Sequence, residues 1–313
     1  MVNNNAPTVI IATRDRAAIL ECTLRLLAPE VNALSANIIV VDNGSSDKTQ
    51  ETLRRLSETM PITILSEPRP GKNLALNRAL DAAATDLLVF TDDDVEFAPD
   101  FLGQFVRAAA KWTNHSLFAG PIIPDFPREL PAHLQGHAFQ KVAYARFELG
   151  GGERPVEGVS PHGPNFAVRR RAVGAERFDV RIGAKKNDHR GVPLGDETEF
   201  LRRIRAAAGD LVYVPAAWVR HRVEPHQLAE GWLFDRSFRF GRGTALLEPD
   251  LSSPRLAAVP RYLWRGLAEA GVAYWKERLL GNPAARFDAG LHLHHLRGQV
   301  YQYRRAPVQV SQL

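Results

Sequence analysis

The chain has 313 residues, 45% of them hydrophobic, which is enough for a substantial core in one or two domains. Its single cysteine, Cys22, excludes an internal disulfide. No run of about 18 apolar residues occurs, so no membrane-spanning helix is expected. The net charge of +5 lies in the last third, because residues 220–313 hold 14 Lys and Arg against 8 Asp and Glu, whereas residues 1–219 hold 26 against 27.

The N-terminal sequence MVNNNAPTVIIATRDR has no basic segment followed by a long apolar stretch. No signal peptide is therefore predicted. A lone cysteine is consistent with a reducing compartment, so a cytoplasmic location is expected.

The first half of the chain alternates short apolar runs with segments of helical periodicity. Strands are predicted at Thr8–Ala12, Asn37–Val41, Ile62–Leu65 and Leu87–Phe90. Helices are predicted at Ala17–Leu27, Asp47–Ser57, Asn73–Ala83 and Phe101–Trp112. Pro99 is predicted to occupy the first position of the last of these helices. The alternation predicts βαβ units and a mostly parallel sheet flanked by helices.

The middle of the chain, about 115–195, is rich in Pro and Gly and predicts loops around a site. A helix at Glu197–Ala208 and strands at Asp210–Val214 and Ala217–His221 are predicted to follow it. From about residue 228 the chain is predicted to be helical. An amphipathic stripe recurs there at Leu256, Val259, Leu263, Leu267, Ala270 and Tyr274. These patterns predict an α/β domain at 1–225 and a mainly helical C-terminal region at 226–313.

Three consecutive acids, Asp92, Asp93 and Asp94, come directly after the strand predicted at Leu87–Phe90. Ligands of open α/β sheets bind at the carboxyl ends of the strands. Adjacent carboxylates repel one another unless a cation or hydrogen-bond donors offset their charge. Carboxylate oxygens suit Mg²⁺ or Mn²⁺, so the cluster predicts a metal site, with a solvated acidic turn as the alternative.

Polar residues also follow the first two predicted strands. Thr13 and Asp15 end the first, and Asp42 ends the second. A carboxylate at such a position can accept hydrogen bonds from a base or a ribose, although turn formation and helix capping explain it equally well. Three strands with polar ends converge at one edge, which favours a binding site there.

The segment Arg69-Pro70-Gly71-Lys72-Asn73 precedes a predicted helix. Cations and backbone N–H groups at a helix N-terminus suit phosphate. The segment does not satisfy the Walker A pattern, and the chain has no complete GxGxxG fingerprint. An EF-hand is excluded for Asp92–Phe97, because no glycine stands at its sixth position.

Two further features carry ionisable groups near predicted element ends. Asp196 and Glu197 open a predicted helix, where either carboxylate serves as a general base or simply interacts with the helix dipole. His221 ends a predicted strand, and it is either solvated or a further metal ligand.

Seven segments in order resemble glycosyltransferase family 2, an inverting family with the GT-A fold and a DxD motif. They span roughly residues 7–245 and are TVIIATRDR, IIVVDNGSSD, RPGKNLALNRAL, LLVFTDDDVEF, GPNFAVRR, GDETEF and VRHRV. The resemblance implies a Rossmann-like α/β domain with a helical C-terminal extension. It also implies transfer of a sugar from a nucleotide diphosphate to an acceptor.

The resemblance further implies roles for individual residues. Asp92, Asp94 and His221 correspond to the metal site for Mn²⁺ or Mg²⁺, with Asp94 the direct ligand. The implied donor-binding residues are Thr13, Asp15, Asp42, Arg69, Lys72, Asn77, Asp92, Asp93, Gly163 and Asn165. The family's Glu-Asp pair is reversed here as Asp196-Glu197, so position favours Glu197 as the catalytic base and residue type favours Asp196.

The implied donors are UDP-, dTDP- or GDP-linked sugars, and the acceptor is a glycan, a lipid-linked molecule, a peptide or a small molecule. A nucleotidyltransferase is the alternative enzyme class, but its glycine-rich loop is missing after the first strand. A basic binding module is the non-enzymatic alternative, although residues 1–219 are almost neutral, and no nucleic acid is expected as a partner. The C-terminal helices pack on the core, form a dimer contact or touch the inner face of the membrane.

Overall fold

The computed structural model describes residues 6–135, 137–183 and 192–305, with the backbone alone at 137–139. The expectation about the N-terminal sequence falls partly on residues 1–5, outside these ranges. The chain divides into two compact units. The sheet unit comprises 1–125, 145–180 and 196–222, and the helical unit comprises 126–144, 181–195 and 223–313. The segments 126–144 and 181–195 group with the helical unit, although they precede the boundary predicted at residue 225.

The strands are numbered in chain order. They are β1 (Thr8–Thr13), β2 (Asn37–Asp42), β3 (Ile62–Ser66), β4 (Leu87–Thr91), β5 (Val95–Phe97), β6 (Leu117–Ala119), β7 (Ile122–Asp125), β8 (Arg154–Val156), β9 (Asn165–Arg169), β10 (Leu211–Tyr213), β11 (Val219–Arg222), β12 (Arg255–Leu256) and β13 (Val259–Pro260).

The helices are numbered in the same way. They are α1 (Ala17–Leu34), α2 (Thr49–Ser57), α3 (Lys72–Ala82), α4 (Phe101–Lys111), α5 (His137–Tyr144), α6 (Arg170–Val173), α7 (Asp196–Ala208), α8 (Glu230–Leu247), α9 (Arg261–Leu280) and α10 (Pro283–Arg305). Short 3₁₀ helices lie at Ala132–Leu134 and Pro225–Leu228.

The main sheet of the sheet unit has eight strands in the order β3-β2-β1-β4-β9-β6-β10-β8. Strands β1 to β4 pair in parallel, and β6 pairs in parallel with β10. Only β8 and β9 run antiparallel to their neighbours. The prediction of a mostly parallel sheet flanked by helices is therefore confirmed. The three strands with polar ends, β2, β1 and β4, are immediate neighbours.

A second sheet in the same unit has the order β5-β11-β7. Strand β5 follows β4 after only the three acids Asp92–Asp94, and it pairs antiparallel with β11. The register places His221 opposite Val95. This short sheet therefore brings a residue from late in the chain to the end of β4.

The core of the sheet unit explains why the apolar runs become strands. All residues of β4 are buried, as expected of a central strand covered on both faces. The large side chains Phe90 and Phe166 stack across β4 and β9 with ring centroids 4.6 Å apart, and Phe178 and Phe200 stack at 4.1 Å. Backbone pairing with β4 and with β6 places β9 between them, and its antiparallel direction interrupts the parallel order.

Two local predictions are wrong. Helix α4 begins at Phe101 with Asp100 as its N-cap, so Pro99 is not at its first position. The region about 115–195 is not only loops, because it contains β6 to β9 and helices α5 and α6. Those strands have only three to five residues, too few to show a clear period.

The helical unit contains α5, α8, α9 and α10, and two buried apolar clusters hold it together. Leu263 and Ala270 of α9 are buried, in line with the predicted stripe. Leu256 and Val259 lie in the β12–β13 hairpin, so the stripe is wrong for these two residues. Within the described ranges, no helix combines the length and the apolarity needed to cross a bilayer.

Candidate active site

The candidate site lies at the carboxyl ends of β1, β2 and β4, within the sheet unit. Thr13, the last residue of β1, lies opposite Asp42, the last residue of β2. The Thr13 hydroxyl donates a hydrogen bond of 2.6 Å to Asp93 Oδ2, just beyond β4. The three predicted polar strand ends are therefore contiguous.

Asp93 is held by the surrounding chain. In addition to Thr13, Arg16 Nη1 donates to Asp93 Oδ1 at 2.8 Å. The Thr23 hydroxyl donates to the Asp93 backbone carbonyl at 2.9 Å. Burial raises the pKa of Asp93 to about 6 against the opposing charge of Arg16, and Asp94 adds to the rise. This carboxylate therefore secures the turn between β4 and β5, and its contact with a donor stays a prediction.

Asp94 has one satisfied oxygen and one orphaned oxygen. Its Oδ2 accepts a hydrogen bond from Arg16, whereas its buried Oδ1 makes no hydrogen bond in the part of the chain that the structure describes. His221 Nε2 lies 3.4 Å from this Oδ1, because Arg222 N donates to the Asp94 carbonyl at 3.0 Å and ties β11 to the turn. Burial alone would raise the pKa of Asp94, but His221 and then Arg16 hold it below its ordinary value.

Asp92, Asp94 and His221 form a candidate metal site. One ligand atom from each residue lies within 4.8 Å of the others. The donor set of two carboxylates and one imidazole fits a divalent cation, and a cation would satisfy the orphaned Asp94 Oδ1. Asp92 and Asp94, two residues apart, face this point, while Asp93 between them faces the chain.

Lys72 links the metal site to the first turn of α7. Its Nζ donates to Asp92 Oδ1 at 2.6 Å and lies 3.7 Å from Glu197 Oε1. Lys72 owes this position to Gly71, whose φ of 147° suits glycine and whose N–H donates to Asn43 Oδ1 at 2.8 Å. Burial lowers the pKa of Lys72, but Asp92 and the α7 carboxylates raise it overall, so this ammonium stays charged.

The pKa values of the two α7 carboxylates shift in opposite directions. Burial and the neighbouring Glu197 charge raise the pKa of Asp196 well above its ordinary value, and the two side chains are hydrogen-bonded to each other. Burial opposes ionisation of Glu197, but the Lys72 charge and that hydrogen bond hold its pKa below the ordinary value. A Cβ at Gly163 would collide with the Glu197 carboxylate, so only glycine leaves Glu197 in place.

Two residues predicted to bind the donor form hydrogen bonds within the protein through their polar side-chain atoms. Asn77 exchanges two hydrogen bonds with the Phe178 backbone, of 2.9 and 2.7 Å. Asn165 donates to the carbonyls of Pro121 and Ala217, at 2.9 and 2.7 Å, although its Oδ1 is orphaned. Both side chains hold segments of the sheet unit together, and their donor contacts stay predictions.

The remaining predicted residues are also engaged within the chain. Asp42 accepts hydrogen bonds from Ser45 N and Gln50 Nε2, at 3.0 and 2.7 Å. Asp15 accepts from the Ser46 N–H at 2.6 Å, and Arg69 pairs with Glu67 through two hydrogen bonds of 2.9 and 2.8 Å. These groups border the site through the turns that follow β1, β2 and β3, and their roles toward a donor stay predictions.

The sequence analysis missed two residues, Arg16 and His162. Arg16 bridges Asp93 and Asp94, and His162 helps to lower the pKa of Glu197. A signal for Arg16 was available, because a cation directly after the first strand can offset acids that follow a neighbouring strand. His162 directly precedes Gly163, but nothing in the sequence places it beside α7.

The chain matches one protein family and is similar to proteins of known name. Residues 8–175, more than half of the chain, match Glycosyl transferase family 2. The succinoglycan biosynthesis protein ExoM of Rhizobium meliloti (strain 1021) is 27% identical over 230 residues, which are 70% of this chain and 68% of that protein. Glucosyl-3-phosphoglycerate synthase of Mycobacterium tuberculosis (strain H37Rv) is 30% identical over 237 residues, which are 64% of this chain and 71% of that protein.

Solved structures resemble the chain over most of its length. The mannosyltransferase PcManGT from Pyrobaculum calidifontis, in complex with GDP-Man and Mn²⁺, matches with a TM-score of 0.60 at 19% identity. The match covers 95% of this chain and 86% of the PcManGT chain. S. aureus TarS 1–349 in complex with UDP-GlcNAc has a TM-score of 0.55 at 12% identity, with 95% and 92% covered. At such identities the likeness shows the fold alone, and the predicted GT-A fold is confirmed.

Proposed function

The chain belongs to glycosyltransferase family 2, and we propose that it is a metal-dependent, inverting enzyme that uses a nucleotide diphosphate sugar as donor. The observation that carries this proposal is the meeting of Asp92, Asp94 and His221 within 4.8 Å of one another. Lys72 joins this cluster to Glu197, so a cation site and a carboxylate base lie in the same part of the sheet unit.

The leaving group determines what the residues around β4 must do. When bound, Mn²⁺ or Mg²⁺ acts as a Lewis acid that stabilises the departing diphosphate. Asp92, Asp94 and His221 would hold that ion, and Arg16 and Thr13 keep the acidic turn in shape. The Lys72 ammonium, which stays charged, provides a second positive group for the diphosphate. The strand-end residues Thr13, Asp15 and Asp42, with Arg69, bind the nucleoside and phosphates.

We assign the base role to Glu197. The pKa of its partly exposed carboxylate is lowered, which favours the ionised form, whereas the pKa of the buried Asp196 is raised, which favours the protonated form. Glu197 therefore takes the proton from the acceptor hydroxyl as the oxygen attacks the anomeric carbon. Attack from the face opposite the diphosphate inverts the configuration. Asp196 positions the base through its hydrogen bond.

The relatives support the reaction class for this chain and leave several substrates open. One relative is named for succinoglycan biosynthesis and another for glucosyl-3-phosphoglycerate synthesis, so the names of the relatives point to different products. The solved neighbours contain GDP-Man and UDP-GlcNAc. We accordingly propose a UDP-, GDP- or dTDP-linked donor, an acceptor that is a glycan, lipid-linked, peptide or small molecule, and a cytoplasmic location.

A thermal-shift screen tests the proposed donor site. UDP, GDP, dTDP and CDP are each added with Mn²⁺, Mg²⁺ or EDTA. A nucleotide at about 100 times its dissociation constant stabilises the fold by about 2.7 kcal/mol. The expected result is a shift with one nucleotide that needs metal and is lost in Asp94→Asn. The exposed-acid variant Asp100→Asn should keep the shift.

The stereochemical claim has its own test. Once the donor class is known, the anomeric configuration of the transferred sugar is read by proton NMR early in the reaction. A product of opposite configuration to the donor supports inversion by Glu197. A product of the same configuration rejects inversion. In the thermal-shift screen, a nucleotide shift that does not depend on metal rejects the cation site.

A further inference from the structure

The outward side of α9 is apolar. Val272, Trp275 and Leu279 are 70%, 57% and 83% exposed, and they are spaced three and four residues apart. This spacing places them on one side of a helix. Leu280, next to them at the helix end, is 67% exposed. We call these four residues the α9 apolar face. Soluble proteins rarely leave such a continuous apolar patch uncovered unless it binds something.

The apolar face is not core turned outward by a poorly seated helix. Leu263 and Ala270, on the opposite side of α9, are buried in one cluster with Val300 and Tyr303. Trp264 Nε1 also donates to the Leu256 carbonyl at 3.0 Å, which joins α9 to the β12–β13 hairpin. These contacts fix the rotation of α9 about its axis, and the apolar face points away from the buried cluster.

Basic side chains border the apolar face. Lys276 lies within it in sequence, and Arg278 places its guanidinium 5.2 Å from the centre of the Trp275 ring. Arg265 lies two turns before Val272 and pairs with Glu269 at 2.7 Å. The surrounding stretch 220–313 has 14 Lys and Arg against 8 Asp and Glu. A second copy of the chain brings the same positive charges to such a contact, whereas an anionic surface complements them.

We propose that the α9 apolar face binds the surface of an anionic lipid bilayer. Valine and leucine side chains enter the region between headgroups and acyl chains, and a tryptophan ring suits that boundary. The arginine and lysine side chains extend to the phosphate groups of the lipids. The helix lies along the surface and does not cross it. This inference depends on α9 and is independent of the proposed transfer reaction.

Vesicle flotation tests the proposal with the full chain. Phosphatidylcholine vesicles are compared with vesicles that also contain phosphatidylglycerol, at low and high salt. The wild type is expected to float with the anionic vesicles, and high salt should weaken that binding. The double variant V272S/L279S should bind about tenfold more weakly, because two inserting side chains are lost. Lys276→Glu should weaken binding to anionic vesicles only.

Leu26→Ser is the matched control, because Leu26 is an exposed leucine of α1, 52% accessible, outside the apolar face. It should float like the wild type, and circular dichroism should show that every variant is folded. A second readout uses brominated lipids, which should quench tryptophan fluorescence in the wild type and much less in Trp275→Phe.

Two results would overturn the proposal. The first is no flotation with anionic vesicles at low salt. The second is flotation that V272S/L279S leaves unchanged, which would move lipid binding to another surface. If the double variant instead converts a dimer into a monomer without any vesicle binding, the face is an interface between copies and the lipid proposal is wrong.

Discussion

The sheet unit and α9 of the helical unit deviate from ordinary burial in opposite directions. In the sheet unit, acidic side chains such as Asp93 and Asp94 are buried beside Arg16. On α9, apolar groups such as Val272 and Leu279 are exposed. Each arrangement costs free energy in the isolated chain, since buried charges lose water and exposed apolar groups order it. Buried acids therefore favour binding of a cation, and exposed apolar side chains favour contact with an apolar surface.

The buried charges are also tightly held, whereas the exposed apolar groups are not. Arg16, Thr13 and Lys72 fix the acids of the sheet unit through short hydrogen bonds. Among the described residues, Trp275 of the α9 apolar face contacts the Arg278 guanidinium and the Tyr274 ring, and neither contact is a hydrogen bond. A small, charged ligand needs fixed groups, while a bilayer surface accepts side chains that move.

The largest effect is expected for Asp94→Asn. The amide keeps the shape of the side chain but removes the charge that a metal ligand needs, so turnover should fall by about 10³-fold. The measurement is initial-rate transfer with the donor found by thermal shift. Asp100→Asn, an exposed acid at the start of α4, should retain wild-type turnover. Wild-type turnover in Asp94→Asn would remove the metal role from this residue.

Glu197→Gln should be the next most damaging change. Loss of the general base should lower kcat by about 10²- to 10³-fold, while the metal-dependent thermal shift persists because the cation ligands are untouched. A parallel loss of nucleotide binding would mean that Glu197 supports the donor site through Lys72 instead. Comparing kcat with the thermal shift separates the two roles.

Two leucines of α9 sharpen the comparison between buried and exposed groups. Leu263→Ala should lower the free energy of unfolding by about 2–5 kcal/mol, because it leaves a cavity in a buried cluster. Leu279→Ser should change it by less than about 0.5 kcal/mol, because that side chain is already in solvent. Urea titration measures both. Equal destabilisation would show that the apolar face is packed in solution.

The smallest effect concerns pH. The pKa of Glu197 is lowered, so the base stays ionised on the acidic side of the ordinary glutamate range. The pKa of Asp196 is raised, so activity should fall as pH rises through that value and the proton that positions Glu197 is lost. The Asp196→Asn variant has no such proton to lose. The alkaline limb of its profile of kcat against pH should therefore move to higher pH, while kcat at its maximum drops only a few-fold. An unchanged alkaline limb would assign it to another group.

Local patterns predicted the parallel half of the sheet with small errors. Strands β1 to β4 and helices α1 to α3 lie within a few residues of their predicted positions, apart from the longer C-terminal end of α1. Apolar runs of four or five residues and helix caps are local sequence signals. They predict a strand correctly when that strand is buried on both faces. The Asp92–Asp94 cluster was found for the same reason, because it follows such a run directly.

The antiparallel strands and the pairing of site residues required the tertiary structure. Strand β9 has an ordinary apolar sequence, and its antiparallel backbone pairing with β4, with Phe166 stacked on Phe90, is seen only in the folded chain. The adjacency of Asp94 and His221, more than 100 residues apart in sequence, follows from the β5–β11 register. Neither pairing leaves a periodic trace, since contacts at long sequence separation depend on which surfaces meet.

The sequence by itself therefore determined the α/β class, the strand ends that carry polar groups and the family resemblance, because all three reside in contiguous residues. The tertiary structure decided which acids meet His221, which acid holds a turn and which α7 carboxyl has the raised pKa. It also decided that, among the described residues, the apolar side chains of the α9 apolar face are exposed. These properties depend on distances between separate segments and on the water removed between them, and neither quantity is encoded at a single position.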